Sequence, residues 1–119
     1  MAGGALTTAA PAGAAPSNPC YDGAQDFTKY EGWPTAPMGG AYFKTSTRCR
    51  DINVKLAIPV EVQVCFFAKE TLARLYCNDY KDAPARTWKV LAFNVSDGQP
   101  FNLNFKDVRY EEFAGKVAS

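Results

Sequence analysis

Residues 52–66, with the sequence INVKLAIPVEVQVCF, carry an apolar side chain at every even-numbered position. Most of the odd positions between them are polar. Because alternate side chains of an extended chain point to opposite faces, this period of two predicts a half-buried β-strand. Pro59 cannot donate a hydrogen bond to a neighbouring strand. We therefore expect the chain to turn, or to change sheet, over residues 57–59.

Further strand signals recur on both sides of this stretch, with turn residues between them. The predicted strands cover residues 41–45, 48–56, 60–67, 72–78, 88–95, 101–105 and 108–113, with one more over 116–118 after a bend at Gly115. Residues 21–40 are rich in glycine and proline and are predicted to be irregular. Residues 72–78 would also suit one face of a short helix, although we favour a strand.

Two hairpins and one internal strand follow from the same signals. A turn over residues 69–72 would set Cys65 opposite Cys77 on neighbouring strands. Residues 88–95 are apolar on both faces, as expected of a central strand. The Asp97-Gly98 turn predicts a hairpin between that strand and residues 101–105. Residues 108–113 carry charged side chains that would protect an edge strand from unwanted pairing.

About seven short strands without a long helical period predict an all-β fold, a two-layer antiparallel β-sandwich. A small closed barrel is the alternative. We expect the sandwich to occupy residues 20–119, with a flexible N-terminal arm over residues 1–19.

The composition argues against some classes of partner. The chain has 119 residues, of which 47% are hydrophobic and 21% are charged, as in ordinary globular domains. Its formal net charge is only +1. Such a charge gives no large field to attract nucleic acid or an anionic membrane, so we expect neither partner.

The four cysteines, Cys20, Cys49, Cys65 and Cys77, have no C-x-x-C spacing and no histidine to complete a zinc site. Four cysteines in a short chain predict two disulfides and an oxidising, extracellular compartment. Reduced thiols in a cytosolic protein are the alternative. Local geometry favours the pair Cys65–Cys77, which leaves Cys20–Cys49, although the sequence alone permits three pairings.

The N-terminal arm has no charged residue between positions 2 and 19. Such a segment buries too little apolar area to order itself. It is either an inert leader or a strand-like arm that orders against another protein. In the second case, Leu6, Thr7 and Thr8 would form its centre.

No cluster of residues in the sequence indicates catalysis. The chain lacks histidine, the usual base for a serine or cysteine nucleophile, and no carboxylate pair stands in a distinctive context. We predict a protein that is not an enzyme and has no metal or cofactor. The aromatic residues Tyr30 and Trp33, in a loop that contains proline, could bind a carbohydrate or a protein. Alternatively, Trp33 covers one end of the core.

The order of several landmarks resembles that of a known group of proteins. These landmarks are Arg48-Cys49, DINV at 51–54, VCF at 64–66, Cys77, WKV at 88–90, Asp97-Gly98 and Phe101. Over residues 49–105 the chain resembles small secreted two-disulfide β-sandwich proteins of actinomycetes, among them the adaptor subunit of umbrella toxin particles. This resemblance implies a non-enzymatic adaptor that bridges a lectin-like subunit and a stalk subunit, with its N-terminal arm buried in the partner.

Together, these observations predict a secreted adaptor that binds another secreted protein through its arm and through the loop of Tyr30 and Trp33. The alternative is a carbohydrate-binding or enzyme-inhibiting domain that uses the loop around Trp33.

Overall fold

The computed structural model describes residues 18–119, and these form ten β-strands and one short helix. The elements are α1 (Pro19–Asp22), β1 (Gln25–Lys29), β2 (Thr35–Ala36), β3 (Phe43–Lys44), β4 (Ile52–Leu56), β5 (Val60–Phe67), β6 (Arg74–Cys77), β7 (Lys81–Ala83), β8 (Lys89–Ala92), β9 (Pro100–Phe105) and β10 (Phe113–Ala118).

The strands make two antiparallel sheets. The four-stranded sheet has the order β1-β10-β4-β8. The six-stranded sheet has the order β2-β9-β5-β6, with β3 paired to β9 and β7 paired to β5. The fold is therefore an all-β sandwich, as the sequence predicts. The strands beyond the predicted seven are mostly two or three residues long.

The core lies between the two sheets and follows the alternation in residues 52–66. Ile52, Val54 and Leu56 of β4 face Val62 and Val64 of β5 across an interior that also takes up side chains of β9, and all five are at most 1% exposed. Each such burial contributes about 1.5–3 kcal/mol. β4 and β5 belong to different sheets, so the predicted change of sheet over residues 57–59 is confirmed.

The hairpin of β5 and β6 is confirmed, and so is the choice of a strand over a helix for residues 74–77. Cys65 lies directly opposite Cys77, and the two sulfurs form a disulfide. The turn between the strands ends at Leu72, whose φ of 60° places it in the left-handed region. A bulge next to Leu75 shifts the register of β6 against β5.

The second disulfide, Cys20–Cys49, attaches α1 to the sandwich. The Asn18 side chain caps this helix by accepting hydrogen bonds from the N–H groups of Cys20 and Tyr21. The Tyr21 ring stacks on Trp88 with 4.5 Å between the centroids. The expectation that residues 21–40 are irregular is therefore wrong, because α1, β1 and β2 lie there.

The prediction of a central strand over residues 88–95 is also wrong. β8 is an edge strand of the four-stranded sheet, and Phe93 beyond its end is 64% exposed. The residues are apolar on both faces for different reasons: Leu91 is buried in the core, whereas Trp88 is covered by Tyr21.

The hairpin predicted at Asp97-Gly98 is wrong for a related reason. Gly98 does adopt a left-handed φ of 72° in a turn, but β8 and β9, on either side of the turn, belong to different sheets. The turn connects the two layers of the sandwich instead of closing a hairpin.

Residues 108–112 form a loop instead of the predicted edge strand, and β10 follows in the middle of its sheet, between β1 and β4. Gly115 is not a bend. It lies within β10 between Phe27 and Leu56, where a Cβ would come within 2.9 Å of Leu56 Cδ2 and closer still to the Phe27 ring. Glycine therefore allows close packing at this position.

Candidate functional site

The four cysteines form the two disulfides that the sequence predicts, with none left free. Leu6, Thr7 and Thr8, the predicted centre of a partner-binding arm, lie outside the described residues. Their role stays a prediction.

Tyr30 and Trp33 lie in the loop after β1, and both rings are 43% exposed. The backbone N–H of Trp33 donates a hydrogen bond to the backbone carbonyl of Tyr30 at 3.2 Å. Tyr30 lines a groove on the four-stranded sheet, whereas Trp33 is neither in that groove nor in the core cluster. The structure thus separates two residues that the sequence placed in one site.

Lys29 holds this loop against residues 108–111. Its side chain is fully buried, and its ammonium donates hydrogen bonds to the carbonyls of Val108, Arg109 (2.9 Å) and Glu111 (2.6 Å). Burial lowers the pKa of Lys29, and the charge of Glu111 partly opposes that shift. The Gly32 N–H adds a hydrogen bond to the Arg109 carbonyl at 2.8 Å. The buried Lys29 side chain and the Gly32 backbone contact therefore hold the loop after β1 against the loop of residues 108–111.

Three large, exposed apolar side chains surround a cleft of about 470 Å³ between β6 and β8, which we name the edge cleft. Leu75, Tyr76 and Phe93 are 56%, 60% and 64% exposed. Apolar side chains grouped in this way often mark an interaction site. The Tyr76 ring rests against Phe66, with 5.0 Å between the centroids, and Lys81 Nζ lies 5.4 Å from the centre of the Phe93 ring.

Asn78 makes the base of the edge cleft rigid. Its amide nitrogen donates to the Leu91 carbonyl of β8 at 2.7 Å, and its side-chain oxygen accepts from the Val64 N–H of β5 at 2.8 Å. Gln63 donates to the Asn78 backbone carbonyl at 2.8 Å. One asparagine therefore connects both sheets beneath the exposed apolar residues.

The edge cleft is bordered by the last strand of each sheet. β6 ends the order of the six-stranded sheet, and β8 ends that of the four-stranded sheet. An edge strand presents backbone donors and acceptors along one side, which an extended peptide can pair with. The Cys65–Cys77 disulfide fixes one end of β6 to the sheet. A preformed strand edge beside apolar side chains can hold a segment of another protein.

The strand prediction for residues 72–78 missed one signal of this site. Leu75 and Tyr76 are consecutive apolar residues, and in a regular strand only one of two consecutive side chains can enter a core. At least one of them is therefore expected to be exposed, and the bulge at Leu75 leaves both exposed beside the edge cleft. Phe93 gives no comparable signal, because it lies in a stretch that is predicted to be an internal strand.

A second concave surface lies on the outer face of the four-stranded sheet, and we name it the sheet groove. Its volume is about 630 Å³. Three basic side chains, one acidic side chain and the Tyr30 ring surround a floor of small residues. The lining side chains on this face are Asp26, Thr28, Tyr30, Lys55, Ala57, Arg86, Ala114 and Lys116.

Residues 18–119 contain no group of three or more side chains suited to hold a metal ion. Within the same described range, no helix is long and apolar enough to cross a membrane.

Comparisons of the chain with protein-family models, with curated proteins and with solved structures found no match.

Proposed function

We propose that this protein is an extracellular, non-enzymatic adaptor that binds an extended segment of a partner protein in the edge cleft. The observation that carries the proposal is the exposure of Leu75, Tyr76 and Phe93 beside two edge strands. Burying three such side chains supplies the apolar centre that protein interfaces use. The edges of β6 and β8 supply main-chain hydrogen bonds.

Two disulfides in so small a domain fit an extracellular protein. The rigid base formed by Asn78 supports binding as well, since a preformed site loses little conformational entropy when its ligand arrives. The resemblance to toxin-particle adaptors suggests a lectin-like or stalk subunit as the partner. The partner segment would place an apolar side chain at every second position, because one face of it would cover Phe93 and Leu75.

The test uses a phage-displayed library of random twelve-residue peptides selected on the wild-type protein. We expect enriched peptides with apolar residues at alternate positions. When these peptides bind, the chemical-shift changes of the protein's amides should be confined to β6, β8 and residues 93–96. In Phe93→Ser, calorimetry should show a loss of affinity of at least about tenfold, the size expected when a central contact residue is removed.

Tyr110→Ser is the matched control, because Tyr110 is 77% exposed and does not line the edge cleft. This variant should bind the selected peptides like the wild type. Peptides that bind Phe93→Ser as tightly as the wild type, or a selection that enriches no peptide, would overturn the proposal.

The N-terminal arm is a second proposed contact of the same adaptor. Deletion of residues 1–17 tests it while leaving the Asn18 cap of α1 in place. If the arm binds the partner, the truncated protein should lose affinity for the partner but keep its affinity for edge-cleft peptides. Unchanged affinity for the partner would make the arm an inert leader.

A further inference from the structure

The sheet groove combines features that point to a second ligand, independent of the edge cleft. Asp26, Lys116 and Lys55 lie in one row across β1, β10 and β4, because Asp26 is the register partner of Lys116 and Lys116 is that of Lys55. Their strand neighbours Phe27, Gly115 and Leu56 face the core, so this row faces outward. The groove thus begins at a line of three charged side chains.

Two lysines directly opposite each other on neighbouring strands repel, and such a pair destabilises a sheet. Asp26 relieves only one of them: Lys116 Nζ lies 2.6 Å from its carboxylate. Lys55 instead extends over the Trp88 ring, at 5.9 Å from the centroid. Both ammonium groups lie on the groove side of the sheet, so an anion bound in the groove would be attracted by each of them.

Arg86 provides a third positive charge at the groove. Its backbone has a φ of 55°, a left-handed conformation that is unfavourable for a residue with a side chain. The Arg86 N–H donates to the Leu56 carbonyl at 2.6 Å, which holds that conformation. Its guanidinium makes one long hydrogen bond, 3.5 Å to the Ala57 carbonyl, among the contacts described for residues 18–119. The remaining N–H groups can therefore form the paired hydrogen bonds that a carboxylate accepts.

The floor of the groove is shallow and largely apolar. Thr28, Ala57 and Ala114 are small, and the Ala57 N–H donates to the Ala114 carbonyl at 3.0 Å, which keeps the floor continuous. The Tyr30 ring stands at the side and offers an apolar face with a hydroxyl at its tip. A volume of about 630 Å³ lies within the range of small-molecule sites.

The acidic side chain narrows the class of ligand. Asp26 would repel any anion bound next to it, but its carboxylate accepts hydrogen bonds from hydroxyl groups. A ligand with both kinds of group can therefore place its own carboxylate at the basic side chains and its hydroxyls at Asp26. A ligand that satisfies all the groups carries one carboxylate for the basic side chains, several hydroxyls and a ring for the Tyr30 face. From this geometry we propose that the sheet groove binds an acidic carbohydrate, a pyranose ring that bears a carboxylate.

The probe is a linear trisaccharide of galacturonic acid, titrated into isotopically labelled protein. We expect saturable shifts of the Thr28, Ala57, Ala114 and Gly115 amides. The affinity should fall as salt is added, because exposed charges are screened. The neutral trisaccharide maltotriose should bind at least tenfold more weakly.

Three variants locate the site. Arg86→Gln should weaken binding of the acidic trisaccharide at least tenfold, and Arg86→Lys should recover part of that loss. Ala114→Phe should abolish binding by filling the floor without changing the charge. Lys44→Gln is the control, since Lys44 is an exposed basic residue of β3 that does not line the sheet groove, and it should bind normally. Thermal melts would confirm that each variant is folded.

Four results would overturn the proposal. These are equal binding of maltotriose, equal shifts of the same amides with inorganic phosphate, retained binding in Ala114→Phe, and no shifts at 20-fold excess of the acidic trisaccharide at low salt. None of them bears on peptide binding at the edge cleft, so the two proposals fail separately.

Discussion

At the scale of single residues, Lys29 is the side chain on which the loops beside the sheet groove depend. It buries a charge at the end of β1 and satisfies three carbonyls of residues 108–111. Its partners lie 79 to 82 positions away in the chain. No local pattern predicts that a lysine at the end of a strand turns inward, so these contacts could not be predicted from the sequence.

Replacement of Lys29 by Met should lower the free energy of unfolding by about 2–4 kcal/mol, because three carbonyls lose the buried ammonium that donates to them. Urea denaturation measures the change. Lys44→Met is the control: Lys44 is exposed in β3, and its replacement should change stability by less than about 0.5 kcal/mol. Equal effects of the two substitutions would contradict the role assigned to Lys29.

The difference in stability between the wild type and Lys29→Met should also depend on pH. Burial lowers the pKa of Lys29 below its ordinary value of 10.5. Between the lowered pKa and 10.5 the unfolded chain therefore holds more protons at this side chain, and folding stability rises with pH. The gap in stability between wild type and Lys29→Met should widen as pH approaches 10.5. If the gap narrows instead, the hydrogen bonds to the three carbonyls raise the pKa of Lys29 by more than burial lowers it.

At the scale of elements, the strands found from the sequence are those whose signal is local. The hairpin of β5 and β6 has both its strands and its disulfide within residues 60–77, and its register follows from the two cysteines. The position of β10 depends on pairing with β1 and β4, about 90 and 60 residues away. Only tertiary contacts decide that Gly115 belongs to a central strand, and a turn signal is the natural interpretation of this glycine from the sequence.

Two neighbouring substitutions in β10 test the packing at Gly115. Gly115→Val should lower the free energy of unfolding by about 1–3 kcal/mol, because the new side chain would collide with Phe27 and Leu56. Ala114→Val introduces the same side chain on the exposed face of the strand, where β-branched residues are favoured. Urea denaturation of Ala114→Val should therefore give the same free energy of unfolding as the wild type. If both variants lose similar stability, β10 is sensitive to any larger side chain, and the close contact at Gly115 is not the cause.

At the scale of the whole molecule, the two disulfides have different tasks. Cys65–Cys77 closes a local hairpin, whereas Cys20–Cys49 attaches α1 to the outer face of the sandwich. The fold class could be predicted from period and spacing, and local geometry favours the two pairings that form, although the sequence alone permits three. The two proposed binding surfaces could not be predicted, because tertiary packing assembles them: β6 meets β8 of the other sheet, and β1 meets β4 and β10 from distant parts of the chain.

Removing the disulfides one at a time distinguishes the role of each. The double variants Cys20→Ser/Cys49→Ser and Cys65→Ser/Cys77→Ser should each lose about 3–4 kcal/mol of stability through the greater freedom of the unfolded chain. Only the first should also change tryptophan fluorescence in the folded state, since Tyr21 would leave Trp88. Trp33 gives a constant background in both. A fluorescence change in the second variant alone would reverse this assignment.

The two flanks of the sandwich also differ in how they can meet other molecules. One flank ends in β1, where the inward ammonium of Lys29 opposes the addition of another strand, and in β2, which is only two residues long. The opposite flank carries β6 and β8, with apolar rings beside them. A head-to-tail polymer built by strand addition would need a free edge on both flanks. We therefore expect head-to-tail addition of this chain to stop after a single event instead of propagating a fibre.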